Sequence, residues 1–520
     1  MADEETAIEV PTEWIRVNGA VAEASLAADG TLRWGSRGGE RCLSLESEVL
    51  GLETIGLRIT IKAFLEASEH GFCGLERSSV KRRRVRRDYT LEMPNEAAAR
   101  RWSAKLRDYM DSLGRPKNLF IIVNPFSGKK CARTVFKKEI KPLLAAADIN
   151  CTIIETKHRN HAQEITKSLD LLKYDGIVCV SGDGVLVEVV NGLLNREDWA
   201  TAIKVPLGVI PAGTGNGMVK SLLDPAGDLC SIPNATFAVI RGHKRSLDVA
   251  TVLQGEKKFF SVLLLIWGLV ADVDIESEKY RWMGSPRFDI YDLCRFGLQL
   301  VGEPTHPTSS PFKLALLRIV KLRKYHGRVH FVPAPGYEAY GEPVKQVDNF
   351  DGHILLSKQD QGSATKVKSC GYQGPEISLE GLEWRSIVGP FVSIWVNNVP
   401  FSAENYIPAP KAKFSDGCLD VIIVRNCPRS ALLGMMLKMS DGSHVTLPHV
   451  MYLKVKAFRL EPGTRVGHPT KGGIIDSDGE VIARGDESAE NSEHKYLMAY
   501  GPPIQMVVDQ GLATVFSPLH

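Results

Sequence analysis

Gly176-Ile177-Val178-Cys179-Val180 is a short apolar run rich in β-branched residues, and it breaks abruptly into Ser181-Gly182-Asp183-Gly184. An apolar run of this length bounded by a turn signal reads as a buried strand. The same transition occurs twice more. Asn118-Leu119-Phe120-Ile121-Ile122-Val123 ends in Asn124-Pro125-Phe126-Ser127-Gly128-Lys129-Lys130, and Leu207-Gly208-Val209-Ile210 ends in Pro211-Ala212-Gly213-Thr214-Gly215-Asn216-Gly217. In a parallel sheet all three strands finish at one edge, where open α/β folds bind their ligands. Small residues there let main-chain N–H groups approach a phosphate. The helices expected at Val185–Leu194 and about Gly217–Leu223 add positive dipole ends. A single Gly-rich turn is usually only a turn, but three at strand ends are a pattern. Neither G-x-x-x-x-G-K-[ST] nor the G-x-G-x-x-G spacing is present, so a phosphate binder here is of another type.

Outward from this centre, residues 115–245 alternate strand, Gly-rich loop and helix. This predicts a three-layer α/β/α lobe on a parallel sheet. Residues 246–520 turn to successive strands, predicting a β-rich lobe, with Pro-, Gly- and Ser-rich insertions at about 302–311 and 333–385. Residues 1–114 form a further unit. β-like runs at Thr31–Trp34, Leu43–Leu45, Leu57–Ile61 and Arg83–Leu91 precede a helix capped by Asn95. Trp102, Leu106, Tyr109 and Leu113 make one stripe of that helix. Strands closed by one helix with a central Trp resemble a pleckstrin-homology domain.

The chain has 520 residues, of which 44% are hydrophobic and 24% charged, ordinary globular values that exclude a fibrous or largely disordered protein. Lys and Arg total 64 against 61 Asp and Glu, a net charge of +3 that argues against nucleic acid as a partner. The most basic stretch contains Lys81, Arg82, Arg83, Arg84, Arg86 and Arg87. It reads as a solvated edge strand guarded by charge, as a nuclear-import-like patch, or as a contact for anionic lipid headgroups. The ten cysteines show no metal-ligand or disulfide spacing, and the acidic start shows no signal peptide, so a cytoplasmic location is expected. The longest apolar run, Val262–Ala271, is about half of a membrane span.

Asn124-Pro125, Ser181-Gly182-Asp183-Gly184 and Pro211-Ala212-Gly213-Thr214-Gly215-Asn216 together resemble the catalytic domain of the diacylglycerol kinase superfamily. Ala271-Asp272-Val273-Asp274-Ile275-Glu276-Ser277-Glu278-Lys279-Tyr280-Arg281 is similar to the sphingosine kinases within it, as is Ser181 in place of the superfamily's first Gly. The N-terminal extension and insertions resemble plant forms. The resemblance implies a lipid kinase with a β-sandwich second lobe. It would transfer the γ-phosphoryl of ATP, with Mg²⁺, to the primary hydroxyl of a sphingoid base. It also implies peripheral, reversible attachment to a membrane such as the vacuolar one. Rivals are a ceramide or diacylglycerol kinase of the same superfamily, a non-catalytic lipid-binding adaptor, and an NAD kinase.

By the same resemblance Asp183 is the catalytic base; read alone, it is also suited to cap a helix. Asn124, Pro125, Phe126, Thr156, Glu188, Gly213, Thr214, Gly215, Arg281, Arg287, Asp478, Gly479 and Glu480 would surround the nucleotide. Read alone, Thr156 is a turn residue, Glu188 a solvated helix acid and Asp478-Gly479-Glu480 a hairpin turn. Ser181, Gly182, Asp183, Gly184 and Asp274 would meet the lipid, Asp274 pairing with the ammonium of the base. Asp272 lies two residues away, and sequence geometry does not separate the two. His158 and His161 suggest a metal but lack a third ligand in the sequence, and the ligands of Mg²⁺ are not readable. Asp248 reads as a structural acid where the second lobe begins.

Overall fold

The computed structural model describes residues 12–36, 39–67, 81–128, 130–272, 322–344, 371–375, 382–485 and 496–519. Asp274, Arg281, Arg287 and the insertion at 302–311 lie outside the described residues, as does part of 333–385.

The N-terminal unit is a seven-stranded antiparallel sheet. It comprises β1 (Thr12–Val17), β2 (Ala20–Leu26), β3 (Thr31–Ser36), β4 (Gly39–Ser44), β5 (Val49–Ile55), β6 (Arg58–Glu66) and β7 (Arg84–Glu92), in the order β4-β3-β2-β1-β7-β6-β5. In β6, Ile59, Ile61 and Ala63 point inward while Arg58, Thr60 and Lys62 point out, the alternation of a sheet with one covered face. The cover is the helix Glu96–Ser112. Asn95 caps it, its side chain accepting the Ala98 N–H at 2.9 Å, and Trp102 and Leu106 are fully buried against the sheet.

The central lobe carries β8 (Asn118–Val123), β9 (Asn150–Glu155), β10 (Gly176–Ser181) and β11 (Leu207–Pro211), all parallel, in the order β11-β10-β8-β9. Helices His161–Ser168, Asp183–Leu194, Gly217–Leu223 and Ile232–Arg241 follow strands of this sheet. Beyond them come β12 (Lys244–Gln254), β13 (Lys257–Ser261), β14 (Leu264–Gly268), β15 (Tyr325–Pro333), β16 (Glu342–Pro343), β17 (Arg385–Val388), β18 (Phe391–Asn397), β19 (Leu419–Arg425), β20 (Val450–Arg465), β21 (Ile474–Ser477), β22 (Glu480–Arg484) and β23 (Ile504–Phe516). β14, β18, β19 and β20 pair antiparallel in sequence, and β21 joins β14. The β-sandwich core between the layers holds Trp267, Tyr325, Phe391, Ile394 and Phe458. β16 and β17 pair with each other, so the described part of 333–385 contributes strand as well as connection.

The two lobes share one hydrogen-bonded sheet. β23 runs parallel to β11 at Val515 and Leu207, and antiparallel to β12 and β20. β12 bulges between Leu247 and Val249. There Asp248 accepts the N–H groups of Gly417 at 2.8 Å and Gly511 at 2.6 Å, and burial raises its pKa to about 6. Its structural reading holds. Among the described residues no helix is long and apolar enough to cross a membrane.

Three of the six cations of the basic stretch are engaged by the rest of the molecule. Lys81 pairs with Asp224. Arg82 pairs with Asp228 at 3.3 Å, and its main chain bonds Gly227 and Leu229. Arg84 is buried, with its guanidinium 5.1 Å from the Phe237 ring. Arg83, Arg86 and Arg87 stay exposed, Arg86 bonding Asp88 at 3.0 Å. Arg115 completes the seam by donating to the carbonyls of Leu45, Glu46, Val49 and Leu50; burial pulls its pKa down to about 10.

Candidate functional site

The loops after β8, β10 and β11 meet at one rim of the parallel sheet. The Asn124 N–H donates to the Val180 carbonyl at 3.1 Å, and the Ala212 N–H to the Ser181 carbonyl at 3.0 Å. The Asn124 side chain accepts the Phe126 N–H at 3.0 Å, which turns the chain beyond Pro125. Ser127 then reaches across, its Oγ accepting the Gly182 N–H at 3.0 Å. The packing excludes side chains here. A Cβ on Gly213 would sit 2.3 Å from Gly182 Cα, and one on Gly182 would sit 2.9 Å from the Gly215 carbonyl oxygen. Gly128 adopts φ +51, and a Cβ there would lie 2.9 Å from the Ala212 oxygen. Gly184 and Gly215 differ. A Cβ on Gly184 meets nothing within 4 Å, and one on Gly215 has Asp183 Oδ2 as its neighbour at 3.7 Å.

Asp183 sits at the centre, 8% exposed. It opens its own helix, yet its carboxylate caps a different one, accepting the N–H of Gly217 at 2.7 Å and of Met218 at 3.1 Å. Its own N–H donates to the Gly215 carbonyl at 3.2 Å. Burial pushes its pKa up to about 7. The two amides oppose that rise, while the negative charges of Asp478 and Glu404 add to it. Glu404 is brought to the rim by Asn216, whose Nδ2 donates to it at 2.7 Å. Thr214 and Ser181 are buried beside these loops, the Ser181 hydroxyl donating to the Gly182 carbonyl at 2.7 Å, and Phe126 is 61% exposed.

Asp478 folds back from the turn between β21 and β22. Its carboxylate accepts the Ser261 hydroxyl and the N–H groups of Val262, Leu263 and Leu264, at 2.8 to 3.3 Å. Burial raises its pKa to about 6 against the pull of these donors. Gly479, at φ +85, donates its N–H to Asp476 at 3.1 Å. Glu480 pairs with Arg159 at 2.8 Å. Glu188 is not a solvated acid: it accepts the N–H groups of Asn160 and Ala162, each at 3.0 Å, and burial raises its pKa. Thr156 is buried at the end of β9, its N–H donating to the Val123 carbonyl at 2.9 Å.

Ser127 and Asn216 lie in the loops the sequence reading singled out but received no role there, and Arg159 and Glu404 were given none either. Ser127, Asn216 and Glu404 act through partners at least 55 positions away or through short local contacts that carry no signature. His158 and His161 do gain a third neighbour, Glu164, with ligand atoms within 4.8 Å of one another. The Lys157 N–H donates to His161 Nδ1 at 3.1 Å, so the neutral ring carries its proton on Nε2 and offers no lone pair there. Asp272 is buried, accepting the Tyr325 hydroxyl at 2.6 Å and facing Arg323 at 3.3 Å.

The family described as diacylglycerol kinase catalytic domain matches residues 118–252, and the YegS C-terminal NAD kinase beta sandwich-like domain matches residues 376–492. Sphingosine kinase 2 of Arabidopsis thaliana is 50% identical over 510 residues, 98% of this chain and 98% of its own. Sphingosine kinase 1 of the same plant is 51% identical, covering 97% and 96%. Human sphingosine kinase 1 is 31% identical, covering 74% of this chain and 90% of its own.

Proposed function

The chain belongs to the sphingosine kinase family, and from that premise we propose that it moves the γ-phosphoryl of ATP to the primary hydroxyl of a sphingoid base, giving the 1-phosphate. The observation that carries this reading is Asp183. It is a buried carboxylate with a pKa near 7, set where three glycine-lined strand ends touch. A base poised near neutral pH accepts a hydroxyl proton most efficiently. The lipid O–H gives its proton to Asp183 as the new O–P bond forms and the bond to ADP breaks. The rest of the work is positioning and charge neutralisation.

Asn124, Pro125, Phe126, Thr156, Glu188, Gly213, Thr214, Gly215, Asp478, Gly479 and Glu480 line or brace the nucleotide side. Arg281 and Arg287 complete it by holding phosphate oxygens. The room at Gly215, where a Cβ would meet only ordinary contact, fits a phosphate lying close to the main chain. Mg²⁺ fits the donor set, because Asp478 and Glu404 concentrate negative charge around Asp183 that a hydrated dication would offset. When bound with ATP it neutralises phosphate charge. Ser181, Gly182 and Gly184 face the lipid hydroxyl. Asp272 is already committed to Tyr325 and Arg323, which supports assigning the ammonium to Asp274. Arg83, Arg86 and Arg87 are the cations of the basic stretch left for reversible contact with an anionic membrane.

The test is incubation with γ-labelled ATP, Mg²⁺ and a panel of sphingosine, dihydrosphingosine, phytosphingosine, ceramide and diacylglycerol. Label is expected on the three bases; label confined to ceramide or diacylglycerol overturns the assignment.

A further inference from the structure

We propose that Lys81 of the N-terminal unit is a positioning residue for the phosphoryl transfer, acting on Asp183 through the helix Gly217–Leu223. This deepens the reading of Asp183 as the base and rests on it.

The helix has only seven residues, so it moves as one rigid piece. Its first two amides hold the Asp183 carboxylate. Its other end is Asp224, which is gripped by two cations: Lys220 from the same helix at 2.7 Å, and Lys81 from outside the lobe. The turn that follows is fixed to the same external segment. The Arg82 N–H donates to the Gly227 carbonyl at 2.9 Å, and the Leu229 N–H to the Arg82 carbonyl at 3.1 Å. Asn234 donates to that Arg82 carbonyl as well, at 2.9 Å. The N-terminal unit therefore clamps the far end of the element whose near end sets the geometry of the base.

The third side of the helix is closed by the β-rich lobe. The Phe401 N–H donates to Ser221 Oγ at 3.1 Å, and the Lys220 ammonium lies 5.2 Å from the Phe401 ring. A Cβ on Gly217 would sit 2.5 Å from the Phe401 carbonyl oxygen, so the helix cannot slide toward that lobe. Phe401 thus holds the helix on one side, and the Lys81 ion pair is the side-chain tie from outside the lobe on its Asp224 end.

The charged and titratable groups around Asp183 define the readout. Asp478 faces it from the β21–β22 turn and Glu404 from the loop after Phe401; Cys230, beyond the helix, has its thiol pushed up to about 12 by burial. Of these, Cys230 feels the Lys81 charge, which lowers its pKa, so a change at Lys81 that removes the charge pushes that thiol further up and leaves it neutral. The amides of Gly217 and Met218 lower the Asp183 pKa, so their retreat raises it. Misplacing a catalytic group by about an ångström costs on the order of a hundredfold, and a partial retreat costs less.

The experiment compares full-length wild type, Lys81→Met, Lys81→Arg and Asp183→Asn by kcat, KM for ATP, the pH dependence of kcat/KM and thermal melting. Lys81→Met is expected to lower kcat by about tenfold, move the acid limb to higher pH and leave KM for ATP nearly unchanged; Lys81→Arg, which restores a donor to Asp224, recovers kcat. A Lys81→Met enzyme with wild-type kcat and acid limb, beside an inactive Asp183→Asn, overturns this inference and leaves the base intact. A lower melting temperature with an unmoved acid limb and no rescue by Lys81→Arg also overturns it, as a purely structural role. Turnover retained by Asp183→Asn overturns both.

Discussion

The rim at the ends of β8, β10 and β11 is lined by main chain, whereas the seam beneath the N-terminal sheet is lined by guanidinium and ammonium groups. At the rim, Gly128, Gly182 and Gly213 bring backbones together so closely that a methyl group has no room. At the seam, Arg84, Arg115 and Lys81 bridge gaps with long side chains, to an aromatic ring, to four carbonyls and to a carboxylate. A surface built from backbone tolerates few residue types at each position. A surface built from long cations tolerates many, since a flexible side chain reaches its partner from several Cα positions. The rim is therefore rigid in composition, and the seam is rigid only in charge.

The largest effect that separates the two is at Asp183. Asp183→Asn keeps the shape and removes the base; its one carbonyl oxygen can accept only one of the Gly217 and Met218 N–H groups that the two carboxylate oxygens now hold, a loss offset by removal of a buried negative charge. Activity is expected to fall by roughly two to four orders of magnitude, with the melting temperature nearly unchanged. Measured turnover within about tenfold of wild type would place the proton acceptor elsewhere at the rim.

Titration reads the same group without mutation. Asp183 acts as a base only when deprotonated, and its pKa stands at about 7. At saturating ATP, kcat/KM for the lipid is expected to hold above that pH and to fall as pH drops through it, approaching roughly tenfold per unit on the acid side. A profile that stays flat from about pH 8 to about pH 6 would mean that the amides at the helix end outweigh burial.

Glycine substitution sharpens the comparison inside the rim itself. Gly213→Ala forces a Cβ to 2.3 Å from Gly182 Cα, so a stability loss of about 1–3 kcal/mol is expected together with lost activity. Gly215→Ala meets only ordinary contact at 3.7 Å, so the fold is expected to keep its melting temperature while KM for ATP rises. Equal melting temperatures and equal KM for the two variants would remove the distinction between packing glycines and ligand-facing ones.

This contrast also explains what could be read in advance. The strand-end glycines were legible because their spacing has a steric cause. Asp183 was legible as a residue but not in its contacts: helix capping was the alternative to catalysis, and the structure has it capping the helix 34 positions on while staying at the rim. β2 and β5 were missed because Ala20, Ala22 and Ala24, or Gly51 and Glu53, carry little strand preference; β1 was missed although Trp14, Ile15 and Val17 favour strand. β23 joining β11 and β12 was out of reach, since the pairing of Leu207 with Val515 depends on a partner some three hundred positions away that leaves no local pattern. The basic stretch gave no unique answer, because solvated edge, lipid contact and internal seam all ask for the same charge.

The smallest effect tests the seam against its own neighbours. Arg115→Met leaves the carbonyls of Leu45, Glu46, Val49 and Leu50 without their shared donor. Buried acceptors left unpaired cost about 1–3 kcal/mol; removing a cation already held at a lowered pKa offsets part of that, since burying it was itself unfavourable. A net loss near 1 kcal/mol is expected in denaturant unfolding. Arg83→Met changes an exposed side chain one position from the buried Arg84 and is expected to stay within about 0.5 kcal/mol of wild type. If the two variants unfold at the same denaturant concentration, then charge count rather than placement holds the N-terminal unit, and the seam is looser than its hydrogen bonds imply.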